Sequence, residues 1–316
     1  MFTVGLVLGA GGAVGDPWHC GVLSRLESEV GWDPREADLI VGTSAGAFTA
    51  VGLRSGISAA DRVARVRDEP VSPQAAETYS RVSTEFDEPA VERDWRPLSV
   101  EMSLKALWPP WKLDPVRAAL GVVPRGTRCG ITSQKRMNEL HPGRWTKMPT
   151  WIVAVRAGDG RRIVFGRDDV RGTIGQAVQA SSAVPGVYVP AQVGEVEYID
   201  GGVHSATNAD LTATLGFDVV IVSSAMTGGS GLLGWVTNPL RTWFSNKLTS
   251  EVDEVRRHGT AVVVIEPHPD TLEDFSDDDA GRRRQAVRAG ETAVDRLLET
   301  PTGVGLQALI QQGKHG

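Results

Sequence analysis

The sequence feature that most constrains the fold is a series of short apolar runs, separated by segments in which apolar residues recur at helical spacing. Short apolar runs that stop at glycine or at a polar residue are typical of buried strands. The runs that we interpret as strands are 4–8, 39–41, 151–155, 162–165, 196–199, 219–222 and 262–265. Because strands that alternate with helices form a sheet covered on both faces, the sequence predicts an α/β fold with a mostly parallel central sheet flanked by helices.

One long stretch departs from this alternation. Residues 69–128 contain eight prolines and three tryptophans, and no strand pattern interrupts them. Proline ends or kinks helices, so this stretch is expected to form short helices. We interpret it as a cap or lid insertion within a single domain that spans residues 1–316.

Composition excludes several classes of function. A net charge of −6 argues against a nucleic-acid partner, because binding to phosphates requires clustered Lys and Arg. The two cysteines, Cys20 and Cys129, rule out a disulfide framework and indicate a reduced, cytoplasmic chain. The N-terminus lacks the features of a signal peptide, and no apolar run is long enough to span a bilayer. Peripheral contact with a membrane stays open.

The first motif that carries chemistry is Gly42-Thr43-Ser44-Ala45-Gly46, a G-x-S-x-G between the strand 39–41 and a predicted helix. A nucleophilic serine at such a turn needs small neighbours, because the backbone is tight and strained where the hydroxyl projects from the sheet. The N-terminus of the following helix favours negative charge that develops nearby. Taken alone, the motif is also compatible with a glycine-rich helix start capped by Ser44.

A glycine-rich segment, Gly9-Ala10-Gly11-Gly12-Ala13-Val14-Gly15, follows the first predicted strand. Glycines allow several backbone N–H groups to converge on one anion. A dinucleotide site would require the spacing G-x-G-x-x-G and an acidic residue after the second strand, but Val14 occupies the sixth position and Val41-Gly42 ends that strand. An oxyanion hole beside Ser44 fits better, and a tight turn without a ligand is the third alternative.

The third motif is Asp200-Gly201-Gly202, at the end of the strand 196–199. The ends of strands in such sheets converge on the ligand crevice, so the carboxylate is expected close to the other two loops. By itself the motif is weak, because the same three residues also form ordinary turns.

Together these motifs resemble the patatin-like phospholipases, in which a glycine-rich loop, a G-x-S-x-G turn and a later D-G-G or D-G-A occur in this order. A fourth segment, residues 180–186, is similar to the stretch that precedes the aspartate in that family. Two departures concern the substrate. Val14 stands where the family commonly has a basic residue, and Ser205-Ala206 stands where it often has an asparagine pair.

The resemblance implies a lipid acyl hydrolase with a catalytic dyad, in which Ser44 attacks an ester carbonyl and Asp200 takes its proton. It implies an oxyanion hole built from the N–H groups of Gly11, Gly12 and Ala13. It also implies no cofactor, no metal, and a phospholipid, lysophospholipid or neutral lipid ester as substrate. The glycines that shape the turn and the loops are Gly9, Gly15, Gly42, Gly46, Gly201 and Gly202.

Alternatives to this function stay open at this point. A histidine-based triad would use His268, which follows the last predicted strand, or His204, which is near Asp200. The chain could also be a catalytically idle family member that acts as a lipid-binding or protein scaffold, or a nucleotide-binding module that uses the glycine loop.

Two apolar features bear on the substrate. The tryptophan-rich segment 95–111 and one face of the helix that begins at Asn238-Pro239 could line an acyl channel or touch a lipid interface. That face carries Leu240, Trp243, Phe244 and Leu248. The alternative is that both features pack as cap and core.

Overall fold

The computed structural model describes residues 2–83, 88–92, 94–108, 114–228, 238–268 and 279–315. The strands are β1 (Val4–Leu8), β2 (Leu39–Thr43), β3 (Thr150–Arg156), β4 (Arg162–Phe165), β5 (Ala191–Val193), β6 (Val196–Asp200), β7 (Val219–Ser223) and β8 (Ala261–Ile265). The helices are α1 (Gly12–Val30), α2 (Ala45–Arg54), α3 (Ala59–Val66), α4 (Pro73–Ser80), α5 (Val100–Ala106), α6 (Pro115–Val122), α7 (Ile131–Leu140), α8 (Ile174–Ser181), α9 (Pro239–Arg257), α10 (Ala280–Leu298) and α11 (Pro301–His315). Every strand that the sequence predicts is present.

The strands form one sheet in the order β5-β6-β3-β2-β1-β7-β8, with β4 paired to β3. Five neighbouring strands of the sheet pair in parallel, in the order β3-β2-β1-β7-β8. The pairs β3–β4, β3–β6 and β5–β6 are antiparallel. This confirms the predicted α/β fold with a mostly parallel central sheet.

Both faces of the sheet are covered, as the continuous apolar runs require. Successive side chains of a strand point to opposite faces of the sheet, so one strand contributes side chains to two hydrophobic cores. Leu6 and Leu8 of β1 are buried in a cluster with apolar residues of α1, α10 and α11. Val7 is buried in a second cluster, with Leu248 and Val252 of α9.

The described part of the proline-rich stretch contains three short helices, α4, α5 and α6. Hydrogen bonds from Leu98 N to Val123 O and from Ser99 N to Gly121 O, both 2.9 Å long, join the beginning of α5 to the end of α6. Trp95 and Trp108 lie in this part of the structure, whereas residues 109–113, and with them the end of the tryptophan-rich segment 95–111, lie outside the described residues. The description of this stretch as a cap stays a prediction.

The spacing of apolar residues in the sequence also predicts a helix over 211–215 and a last helix over 282–298, and the structure differs from both expectations. The helix predicted over 211–215 is instead a short 3₁₀ helix, Ala209–Thr212, followed by a turn. Bonds that span three residues hold it, including Leu211 N to Asn208 O at 3.2 Å and Ala213 N to Asp210 O at 3.1 Å. The helix over 282–298 is not the last one, because α11 follows it.

Candidate active site

Ser44 occupies a strained turn between β2 and α2. Its φ of 53° lies in the left-handed region that favours glycine, which costs about 1–3 kcal/mol for another residue. The turn is held close to β1, because the Gly46 N–H donates a hydrogen bond of 3.1 Å to the Gly9 carbonyl. A Cβ atom on Gly46 would lie 2.1 Å from the Leu8 carbonyl oxygen, so only glycine allows this approach.

Two consecutive residues of β3 bring the serine and the aspartate together. Val153 is paired with Thr43, the last residue of β2, and Ala154 is paired with Asp200, the last residue of β6. β2 runs parallel to β3 and β6 runs antiparallel to it, so the two strands end at adjoining positions. Ser44 Oγ donates a hydrogen bond of 2.7 Å to Asp200 Oδ2.

The carboxyl group of Asp200 is almost fully buried, with 5% of the residue exposed. Burial raises its pKa to about 6, and the hydrogen bonds from Ser44 and from the Gly202 N–H offset only part of that effect. The Gly202 bond, 2.7 Å to Oδ1, fixes the carboxylate within its own turn. A carboxylate with this pKa is a stronger base than an exposed one and is still ionised at neutral pH.

The glycine loop ends at the N-terminus of α1. Gly11 is the N-cap of this helix, and Gly12 and Ala13 are its first two residues. The N–H groups of the first helical turn have no partner within the helix, so they are free to bind an anion. Gly12 and Ala13 are exposed. Gly15 allows α1 to lie close to the Ser44 turn, because a Cβ atom on Gly15 would lie 2.7 Å from Cβ of Ala45, the residue after Ser44.

The other motif glycines also stand where backbone segments meet. A Cβ atom on Gly11 would lie 2.3 Å from Gly15 Cα. One on Gly42 would lie 2.8 Å from Ala47 Cα, and one on Gly201 would lie 2.4 Å from Val153 O. Gly9 and Gly202 are less crowded, with nearest contacts of 3.1 Å and 3.0 Å. The three motifs therefore form one closely packed group of loops.

His19 is a site residue that the sequence reasoning missed. Its buried ring donates from Nε2 to the Gly9 carbonyl and accepts at Nδ1 from the Ser223 hydroxyl, at 2.8 Å in each case. Burial lowers the pKa of His19 to about 4, so the ring is neutral at pH 7. Because the Gly9 carbonyl also accepts from Gly46, His19 helps to fix the glycine loop against the Ser44 turn. The signal in the sequence is a histidine among the apolar residues of a predicted buried helix.

The segment 180–186 contacts both members of the Ser44–Asp200 pair. The Ser44 N–H donates to Ser181 Oγ at 2.8 Å, and the Asp200 N–H donates to the Ala183 carbonyl at 3.0 Å. Ser181 is fully buried at the end of α8. The resemblance indicated only that this segment precedes the aspartate. The structure shows that it holds the backbones of Ser44 and Asp200 in place.

Asn208 supports the Ser44 turn from a second side. Its Nδ2 donates to Thr43 Oγ1 at 3.2 Å and to the Ser205 carbonyl at 2.8 Å. The resemblance indicated only that Ser205-Ala206 stands where the family often has an asparagine pair, whereas the structure has Asn208 two residues further along, hydrogen-bonded to the residue before Ser44.

The two histidines considered for a triad are not placed between the serine and the aspartate, which bond directly. His204 Nδ1 lies 3.0 Å from Arg117 Nη2 of α6, and the imidazole accepts that bond. Burial, together with nearby Arg162, Arg117 and Lys247, lowers the pKa of His204 to about 3. His268 follows β8 and is exposed.

An apolar wall adjoins the glycine loop. Phe244 of α9 is buried in a cluster with Ala10 and Ala206, and Met226 and Trp243 pack against it. Leu248 is buried in the core, and Leu240 is 46% exposed. The predicted apolar face of α9 is therefore divided among core packing, the loop and solvent.

A serine on a strained turn, a buried carboxylate within hydrogen-bond reach and free helix N–H groups are the components that nucleophilic acyl transfer requires. The family model of the patatin-like phospholipases matches residues 6–213, and the chain belongs to this family, whose members are generally lipid acyl hydrolases. The chain is also similar to VipD from Legionella pneumophila, with 16% identity and a TM-score of 0.37 over 93% of this chain and 67% of that one. Within the described ranges, no helix has both the length and the apolar character to cross a membrane.

Proposed function

We propose that this chain hydrolyses carboxylic esters of lipids through an acyl-Ser44 intermediate, with Asp200 as the general base. The observation that carries the proposal is the 2.7 Å hydrogen bond from Ser44 Oγ to Asp200 Oδ2. The strained backbone of Ser44 and the raised pKa of Asp200 support it, because both are typical of groups that take part in a reaction.

The mechanism begins when Asp200 takes the hydroxyl proton of Ser44 while Oγ attacks the ester carbonyl. The negative oxygen of the tetrahedral intermediate is bound by the N–H groups of Gly11, Gly12 and Ala13, each contributing about 3 kcal/mol. Asp200 then gives its proton to the leaving alcohol, and the acyl group stays on Ser44. Water is activated by Asp200 in turn and releases the fatty acid.

The substrate that we propose has an apolar acyl group and a headgroup that needs no cation from the glycine loop. Phe244, Trp243 and Met226 offer an apolar wall beside that loop. Val14 is apolar and buried where family members commonly have a basic residue. Phospholipids, lysophospholipids and neutral lipid esters all fit these features. We also propose a cytoplasmic enzyme with no cofactor and one domain over 1–316, of which residues 69–128 form the cap.

The test is labelling with a fluorophosphonate, followed by mass spectrometry of the adduct. The expected result is a single adduct on the peptide that contains Ser44, absent from the Ser44→Ala variant, and hydrolysis of p-nitrophenyl esters that favours longer acyl chains. A folded chain that neither reacts nor hydrolyses any ester would contradict the proposal and favour a scaffold. Copurification of a nucleotide would favour the nucleotide-binding alternative.

The pH dependence of kcat/KM separates a carboxylate base from a histidine base. Asp200 must be ionised to act, so kcat/KM is expected to rise about tenfold per pH unit at acidic pH and to level off near its pKa of about 6. His19 and His204, with pKa values lowered to about 4 and about 3, are neutral above about pH 5, so they do not titrate near pH 6. An inflection at about pH 4 or below, where His19 and His204 titrate, would contradict the assignment of Asp200. Initial rates on a water-soluble short-chain ester give the profile.

A further inference from the structure

Helix α5 has two faces of different character. Met102, Ser103 and Ala106 are buried on the inner face. Val100, Leu104, Leu107 and Trp108 are 56%, 63%, 48% and 73% exposed. Val100 and Leu104 lie one turn apart on the same side of α5, and Leu107 and Trp108 directly follow its last residue, Ala106. A short helix with a buried inner face therefore also presents an apolar outer face.

Two more exposed apolar side chains belong to the segments that adjoin α5. Trp95, which precedes α5, is 71% exposed, and Val122 at the end of α6 is 58% exposed. The bond from Ser99 N to Gly121 O holds Val122 beside the beginning of α5. We call these six residues the apolar patch: Trp95, Val100, Leu104, Leu107, Trp108 and Val122. They are half of the twelve large apolar side chains that the structure describes as exposed.

The inner face of the same helix packs against the Asp200 turn. Met102 is fully buried in a cluster with Ile199 and Val203, which lie on either side of Asp200 in the sequence. Arg117 of α6 contacts His204 in that turn through the 3.0 Å hydrogen bond. A single layer of helix therefore separates the apolar patch from the Asp200 turn.

Among the described residues, two ion pairs lie close to the patch in the chain. Lys105 Nζ lies 2.6 Å from Glu101 Oε1, and Arg96 Nη2 lies 2.8 Å from Asp94 Oδ2. The chain as a whole carries a net charge of −6. Neither feature attracts an anionic surface, so contact here must depend on burial of apolar area and on the two indoles, which favour the boundary between water and lipid.

We infer that the apolar patch is the surface through which this chain docks on the interface of uncharged or zwitterionic lipid, with α5 lying in the plane of that interface. The inference rests on the proposed function, since it identifies the surface that brings lipid esters to Ser44. An exposed apolar area of this kind marks an interaction surface, and a lipid interface matches both its neutral charge and its tryptophans.

The test is cosedimentation with phosphatidylcholine vesicles, performed in the Ser44→Ala background so that the lipid stays intact. Leu104→Ser together with Trp108→Ser is expected to weaken partitioning about 100-fold, because burying each side chain is worth roughly a factor of ten or more. The matched control is Leu215→Ser together with Val304→Ser, which changes two side chains that are 42% and 58% exposed elsewhere. The control is expected to bind like the parent chain.

Three further measurements decide the interpretation. Added phosphatidylserine should not strengthen binding, and a rise from about 0.05 to 0.5 M NaCl should leave binding to phosphatidylcholine nearly unchanged, since salt screens attraction between charges and not the burial of apolar area. A patch variant that binds as the parent does, or a requirement for anionic lipid, would overturn the inference. The inference would also be overturned by a third result: the chain is a dimer in solution, the patch substitutions convert it to a monomer, and neither form binds vesicles.

The same proteins separate this inference from the proposed function. With Ser44 restored, the patch variant is expected to hydrolyse a monomeric soluble ester at the rate of the unsubstituted chain and to lose activity only on vesicles. Patch-dependent binding without hydrolysis of the soluble ester would contradict the proposed chemistry and leave the docking surface in place.

Discussion

Asp200→Asn is expected to lower kcat on a soluble ester by about a thousandfold or more, because an amide cannot take the proton of Ser44. The geometry of the site should survive the change. The amide oxygen can still accept from the Gly202 N–H, which lies 2.7 Å from Oδ1, and the amide nitrogen can donate to Ser44 Oγ. Loss of activity would then reflect chemistry, and the rate of fluorophosphonate labelling should fall with it.

The same substitution is expected to stabilise the fold. The folded pKa of Asp200, about 6, lies above the value of about 3.9 for an unfolded chain, which corresponds to roughly 3 kcal/mol at neutral pH. Because the folded pKa is raised, the favourable contribution of this group is complete below about pH 4 and is lost as the pH rises through 6. The stabilising effect of Asn should therefore be largest above pH 6 and vanish near pH 4, as urea unfolding at several pH values would measure.

Asp210→Asn is the matched control, since it makes the same chemical change at a nearby carboxylate. Burial raises the pKa of Asp210, but hydrogen bonds from Arg162 outweigh that effect and leave the pKa below its usual value. The control should therefore lose stability at neutral pH. If Asp200→Asn were also less stable than the wild type at pH 7, the charge on Asp200 would not be a cost to the fold. If it kept near-normal turnover, Asp200 would not be the base.

Sequence reasoning predicted the sheet because apolar runs report burial directly. It also predicted which residues are close, since Ser44 and Asp200 both follow strands. It could not give the register that places Thr43 and Asp200 opposite consecutive residues of β3. Register depends on pairing between strands that are far apart in the chain, and no local pattern records that pairing.

The supporting residues were missed for a related reason. His19, Ser181 and Asn208 act through hydrogen bonds to Ser223, Ser44 and Thr43, which are far away in the chain, and each looks ordinary among its neighbours in the sequence. The antiparallel position of β6 and the 3₁₀ helix Ala209–Thr212 were equally invisible, because both depend on contacts made after the chain has folded.

Gly46→Ala is expected to disrupt stability and activity together. The new Cβ would lie 2.1 Å from Leu8 O and 2.4 Å from Leu8 C, both in the backbone of the central strand, which cannot rotate away as a side chain could. Moving the Ser44 turn away from β1 would break the Gly46 N–H bond to Gly9 and displace Oγ from Asp200. The expected cost is about 3 kcal/mol or more in the free energy of unfolding, with kcat/KM lowered about 100-fold in any protein that folds.

Gly305→Ala provides the comparison that isolates this contact. Gly305 is also helical, and a Cβ atom there would meet no heavy atom of another segment within 4 Å among the described residues, so alanine has open space. It should raise the free energy of unfolding by about 0.5–1 kcal/mol, through the smaller entropy of the unfolded chain and the better helix propensity of alanine. Equal unfolding midpoints for the two variants in urea would show that the contact between the Ser44 turn and β1 is not tight. A stable but inactive Gly46→Ala would place the effect in the geometry of the turn alone.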